Sequence, residues 1–402
     1  MVILMEQGLF ARSRLILTGL AALLVSAAVS SVAGIYLGSV RENLLLIPGL
    51  MVLLPSIIHI RGSIAGVLAS RLSSAMHLGE FSVDFGEGSV LGDNIRVSFV
   101  VTILIAFVLG IFAYVASRIF GYPVIGVTDL VLISVVTGIL AGTVVTGITL
   151  LIALASYRYG LDLDMIAAPT VTTFGDIITL PILMISAAFV MLLDPLARLI
   201  LGGVAVGLTV AAIIYTLHRP EGIGPIVREN IGLLIPLSVI GTLAGLTYSS
   251  SLDILVTTAA FLILIPPFTG ILGSIGGILG SRLSTGMHTG EINPTFIPEG
   301  NVAHHFIISY LYTLILLPLL ALIAHGAAVL MGSNSPGPVM LVIISLAAGL
   351  IVMTLVIGVA YITASLSFRY GLDPDNFGIP VITSLIDLIG AAALVAMIDL
   401  LL

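Results

Sequence analysis

Apolar positions run through this chain in long, nearly unbroken blocks, and polar positions gather in the short stretches between them. A helix needs about 20 apolar residues to cross the hydrocarbon core of a bilayer. Eleven blocks meet that length, at roughly 15–38, 43–77, 97–119, 128–157, 167–193, 196–217, 231–249, 254–288, 303–330, 338–367 and 377–401. The second and eighth are too long for one straight span. Each holds an internal proline, Pro55 or Pro266, followed by small residues, so a break or kink is expected there. The first block is too long for the apolar region of a cleavable signal peptide and reads as the first span.

The pattern occurs twice. Residues 62–80 (GSIAGVLASRLSSAMHLGE) return as 273–291 (GSIGGILGSRLSTGMHTGE), 211 positions later, with 13 of 19 residues identical. Residues 156–176 (SYRYGLDLDMIAAPTVTTFGD) return as 367–387 (SFRYGLDPDNFGIPVITSLID) at the same offset. Each repeat carries five spans, and two five-span units joined directly would face opposite ways. The block 196–217 matches neither repeat. As an extra crossing it gives both repeats the same orientation, related by an axis along the membrane normal. The expected fold is therefore an all-α polytopic membrane protein, with a first repeat over 1–194, a linker span over 195–218 and a second repeat over 219–402.

Composition agrees with a place in the cell membrane. Apolar residues make up 59% of the chain and charged residues only 8%, against about 25% charged in soluble domains. The absence of cysteine excludes disulfides and thiolate metal ligands. A net charge of −7 gives no footprint for nucleic acid. All 13 basic residues are arginine. With the N-terminus in the cytoplasm, nine of them fall on the cytoplasmic side, Arg41, Arg118 and Arg198 fall outside, and Arg61 lies within a span. That bias follows the positive-inside rule and places the C-terminus outside.

The chemistry centres on two aspartates. Asp176 and Asp387 each sit seven residues beyond a proline, Pro169 or Pro380, inside an otherwise apolar span. A charge at such depth costs at least ~2.5–3.5 kcal/mol on insertion scales, so it is expected to face a cavity or a partner. Thr172 and Thr173 stand at i, i+4 and i, i+3 helical spacing from Asp176, and Thr383 and Ser384 stand likewise from Asp387. Each repeat thus supplies one carboxylate beside neutral oxygens. Mg²⁺ keeps several waters and uses one or two carboxylates, which suits such a pair, and the lack of soft ligands argues against copper. The bland alternative is two protonated aspartates bonded to neighbouring helices.

Other repeated polar residues carry weaker signals. Ser70, Ser74 and His77 share a helical face, as do Ser281, Thr285 and His288, and could line a polar path or serve helix packing. Arg71 and Arg282 read as snorkelling to the cytoplasmic interface. His77 and His288 precede Glu80 and Glu291 at solvated helix ends. Asp162, Asp164, Asp373 and Asp375 are best read as caps of the Asp-bearing helices. His59, Arg61 and His325 have no counterpart in the other repeat and receive no role.

Together the segments 69–79 and 280–290 and the trios Pro169–Thr172–Asp176 and Pro380–Thr383–Asp387 resemble the SLC41/MgtE superfamily of magnesium transporters, the SLC41 branch in particular. The resemblance covers nearly the whole chain. It implies a pore between two five-helix units, lined by the second and fifth helices, with the fifth-helix aspartates Asp176 and Asp387 binding the cation. It also implies that the duplication replaces a homodimer, so that a fused pseudo-dimer is complete as a monomer. The family's second-helix Gly-Asn appears here as Gly62-Ser63 and Gly273-Ser274, which puts hydroxyls of Ser63 and Ser274 where an amide is usual. With only about a dozen residues before the first span, regulation through a soluble magnesium sensor is not expected.

The leading expectation is transport of Mg²⁺ or another divalent cation, with Mg²⁺ as cargo and no prosthetic group. A proton- or sodium-coupled carrier of another solute, using the Asp pair as a relay, is the alternative. An intramembrane aspartyl protease also needs two buried aspartates, but its two motifs are dissimilar, whereas these are copies. No enzyme activity is expected.

Overall fold

The computed structural model describes residues 2–159, 163–219, 222–295, 298, 302–370 and 374–402, with the side chains of 2–15, 164–173, 374–377 and 379 outside the description. Thirteen helices follow in order: α1 (Val2–Ser39), α2 (Arg41–Leu46), α3 (Leu50–Leu78), α4 (Val90–Ile119), α5 (Val127–Tyr159), α6 (Leu163–Leu192), α7 (Pro195–Leu217), α8 (Ile223–Ser250), α9 (Leu252–Thr257), α10 (Ala259–His288), α11 (Ala303–Leu330), α12 (Pro338–Tyr370) and α13 (Pro374–Leu401). Eleven of these are long and apolar enough to cross a membrane, and no strand occurs among the described residues. Helices suit this composition because lipid offers backbone groups no hydrogen bonds, and a helix satisfies them internally. The protein is a multi-pass, all-α membrane protein.

The expected breaks lie elsewhere than expected. α3 runs continuously through Pro55 and α10 through Pro266 and Pro267. The interruptions come earlier, at 47–49 and at Thr258, each set off by a short helix. Gly49 explains the first: its φ of 93° is left-handed, a conformation glycine adopts without penalty. Pro55, the sixth residue of α3, removes the bond to the Met51 carbonyl without ending the helix.

The chain divides into two compact units, and the division does not follow the order of the repeats. A central unit comprises Val40–Val256, and a terminal unit joins Met1–Ser39 to Thr257–Leu402. In the central unit α3 is the hub, packing on α4, α5, α6 and α8. In the terminal unit α10 is the hub, packing on α1, α11, α12 and α13. The first long helix of each repeat therefore packs on the second long helix of the other.

Glycine makes this exchange close. A Cβ on Gly34 of α1 would run into the backbone carbonyl of Ile263 in α10. One on Gly245 of α8 would run into the carbonyl of Val52 and lie 2.7 Å from its Cα in α3. Both residues of the first contact stand 211 positions from those of the second, so one contact is made twice with the repeats' roles reversed. In lipid no hydrophobic drive presses helices together, and close approach of small residues takes over that task.

The helix α7 is mostly exposed and packs on α5 and α4. Asp194 caps it by accepting from the Ala197 N–H at 2.8 Å, with Pro195 at the first position. Arg198 joins it to α5 through Asp129 at 3.3 Å. Beyond its end, Arg219 donates to Glu87 at 2.7 Å and holds that carboxyl below the usual range.

Gly245→Ala and Gly34→Ala are expected to destabilise the protein by about 1–3 kcal/mol through overpacking. Gly147→Ala, where nothing lies within 4 Å of a new Cβ, should leave stability unchanged or raise it. Thermal melts in detergent compare the three, and equal behaviour would remove the close contact as the cause.

Candidate functional site

Asp176 lies on α6 and Asp387 on α13, both with half-buried side chains. The helices that carry them pack on the two hubs, α6 on α3 and α13 on α10. In the terminal unit a Cβ on Gly273 of α10 would lie 3.6 Å from the Thr383 methyl of α13, so Gly273 faces Thr383 where the two helices pack. Thr383 donates its hydroxyl to the Pro380 carbonyl at 3.1 Å, and Ser274 donates to the Gly270 carbonyl at 2.9 Å. Each hydroxyl spends its proton on its own helix. Thr383 and Asp387 are half-buried one turn apart, whereas Ser384 is 1% exposed.

The central unit shows less of its copy. Ser63 on α3 is half-buried, with its hydroxyl 3.4 Å from Nε2 of His59. The side chains of Thr172 and Thr173 lie outside the described residues, as do those of Asp162, Asp164, Asp373 and Asp375. Among the described residues no three His, Asp or Glu side chains gather as a metal cage. In the terminal unit Asp387 and Thr383, one turn apart on α13, set a carboxylate beside a neutral oxygen, a pairing that suits an ion retaining part of its water.

The polar stripes turn outward toward their ends. Ser74, His77, Ser281, Thr285 and His288 are exposed, and Ser70 is half-buried. His288 sets Nδ1 2.9 Å from the Ser284 carbonyl and packs edge-on against Phe368 at 4.9 Å, which fixes it as a helix-end residue. Gly79 and Gly290, both at positive φ, end the two stripes alike.

Arg61 was unassigned by sequence reasoning. It is 3% exposed, on the face of α3 turned to α4 and α5. Its Nη1 donates to Thr102 Oγ1 at 3.0 Å, while its Nε has no partner. Gly142 makes room for it, since a Cβ there would lie 2.6 Å from Nη1. The matching position of the second repeat is Leu272. That departure from the repeat was the available signal.

Comparison with known proteins fixes the family. The family described as MgtE, divalent cation transporter, matches residues 54–186 and 265–397, two stretches offset by the same 211 residues as the repeat. The chain belongs to the MgtE family of divalent cation transporters. It is similar to solute carrier family 41 member 3 of Mus musculus, 27% identical over 373 residues that cover 86% of this chain and 74% of the mouse protein. Member 3 of Rattus norvegicus is 26% identical, covering 86% and 78%. Member 2 of Gallus gallus is 24% identical, and the match takes in 85% of this chain and 62% of the chicken protein. No solved structure matches the chain. Membership of the MgtE family makes the protein a transporter and not an enzyme.

Thr102→Val is expected to cost about 1–3 kcal/mol by leaving the buried guanidinium without its acceptor. Arg61→Leu should be neutral or stabilising, as buried charges often are when replaced by apolar side chains, and should cancel the cost of Thr102→Val in the double variant. Additive losses in a melting cycle would show that the two side chains do not act as a pair.

Proposed function

We propose that this MgtE-family protein moves Mg²⁺ across the membrane, with Asp176 and Asp387 as the carboxylates that meet the partly hydrated ion. Thr172, Thr173, Thr383, Ser384, Ser63 and Ser274 are the neutral oxygens assigned to the same path. The repeats are taken as 1–194 and 219–402, joined by 195–218, with the N-terminus cytoplasmic, the C-terminus outside and one chain sufficient. The observation that carries the reading is the Asp387 seam. There a half-buried carboxylate shares a helix face with a hydroxyl whose proton is already committed, and Gly273 of the neighbouring helix stands beside it. The same residues recur one repeat earlier. Oxygen donors without soft ligands favour a hard cation.

Asp176→Asn and Asp387→Asn should each reduce Mg²⁺ flux into proteoliposomes at least about 10–100-fold, the scale seen when even outer partners of a metal site are removed. Both variants should keep the wild-type melting temperature or exceed it. Undiminished flux in both would sink the assignment. Running the assay with and without imposed Na⁺ and proton gradients tells simple permeation from coupled exchange.

A further inference from the structure

Arg61 carries a charge at a place where the other repeat carries none. It is 3% exposed inside a span, and its Nε is buried without a hydrogen-bond partner. Thr102 Oγ1 accepts from Nη1 at 3.0 Å, and no carboxylate among the described residues pairs with the guanidinium. Arginine does not shed its proton in proteins, so the charge stays. An ionised side chain at such depth is costly and marks function.

The second repeat fills the same place without charge. Leu272 stands for Arg61, and Met353 stands for Gly142, where a Cβ would lie 2.6 Å from the Arg61 Nη1. Thr102 has its copy in Thr313, which turns back to donate to the Ser309 carbonyl at 2.9 Å. A leucine and a methionine thus replace an arginine and a glycine. Apolar groups that replace a buried charge at similar volume are often neutral or stabilising, so packing does not account for the arginine.

What Arg61 adds is a field, and its place on α3 decides where the field falls. Gly62, the next residue, matches Gly273, which faces Thr383 in the terminal unit. Thr383 precedes Asp387 by one turn, as Thr172 precedes Asp176. α3 packs on α6 as α10 packs on α13. The repeat therefore sets Arg61 at the depth where the aspartate helix carries its hydroxyls, with the guanidinium on the α4 and α5 side. A charge so buried is screened far less than an exposed one. Its repulsion is proportional to the charge of the ion it meets, so a divalent cation feels twice what a monovalent one feels.

We infer that Arg61 is a specificity-determining charge, which lowers the hold of Asp176 and its hydroxyls on cations and penalises divalent ions more than monovalent ones. The inference rests on the cation path proposed above. The two repeats then hold an ion with different affinity although their carboxylates and hydroxyls match. Arg61 acts on the ion through space and is no ligand.

The test measures binding of Mg²⁺ and of Na⁺ to the full chain in maltoside micelles at constant ionic strength. Half-saturating concentrations are read from the rise in melting temperature, with Mg²⁺ flux into proteoliposomes run in parallel. In Arg61→Leu the half-saturating concentration should fall about tenfold for Mg²⁺ and about threefold for Na⁺, its square root, because Coulomb energy is proportional to charge. Thr102→Val leaves the charge in place while removing its acceptor, so it should bind both ions as wild type does, at a lower melting temperature. The paired Arg61→Leu, Gly142→Met variant installs the other repeat's residues and is measured alike, so the answer does not depend on one variant folding. No fall for Mg²⁺ overturns the proposal, and so does an equal fold-change for the two ions, which marks a change of fit and not of field. Undiminished flux in both Asp176→Asn and Asp387→Asn removes the path and this proposal with it. Reduced flux there with unmoved binding in Arg61→Leu rejects the role of Arg61 alone.

Discussion

The close glycine contact made once by Gly34 on Ile263 and once by Gly245 on Val52 is the constraint on which the rest hangs. Lipid-soluble helices gain little by hiding apolar surface from one another, so contact must come from fit. At these two points fit means backbone against backbone, which no side chain larger than hydrogen permits. The contact also decides ownership: each compact unit is completed by the leading helix of the other repeat. A cut between the repeats would therefore strip both units, although the sequence divides cleanly there. It also braces α3 and α10, the two helices against which the aspartate helices are laid.

On this shared frame the two copies have diverged behind the hubs while keeping the aspartate face. Gly138 approaches Ala106 and Arg61 in the central unit, whereas its counterpart Gly349 is filled by Leu317 in the terminal unit. Arg61 gives way to Leu272, and Asp93-Asn94 to His304-His305. Duplication relaxes the demand on each copy wherever a residue acts locally. Around the aspartates the prolines and both flanking hydroxyls persist, Thr172 matched by Thr383 and Thr173 by Ser384, while Thr170 gives way to Val381.

The spans were legible because length and apolarity are summed over twenty or more residues, so no single position decides them. Local events were less so. Pro55 and Pro266 looked like the breaks, yet the helices run through them and turn at Gly49 and Thr258 instead. A single proline removes one bond of the ladder, whereas Gly49 at positive φ interrupts it; Thr258, at φ −110°, carries no such mark. The exchange of leading helices was not legible at all. Gly34 and Gly245 are two among 43 glycines, and a residue without a side chain carries no mark of what it touches. The aspartates stood out because charge in an apolar block is rare, whereas Arg61 and the His304-His305 pair were visible only as departures from the repeat.

Arg61 raises the question of how a cation path tolerates a buried positive charge, and geometry with Coulomb's law answers it. Successive helical residues turn by about 100°, so Arg61 and Ser63 point to nearly opposite sides of α3. A divalent ion on the Ser63 side would stand at least a helix width, about 10 Å, from the guanidinium. At an effective dielectric of about 20 the repulsion there is about 3 kcal/mol, while a carboxylate at about 4 Å attracts the same ion by about 8 kcal/mol. The carboxylate wins, and the arginine subtracts from only one of the two units because Leu272 carries no charge. In the proposed reading, Asp176 and Asp387, which hold matching places in the two repeats, thus meet unequal fields.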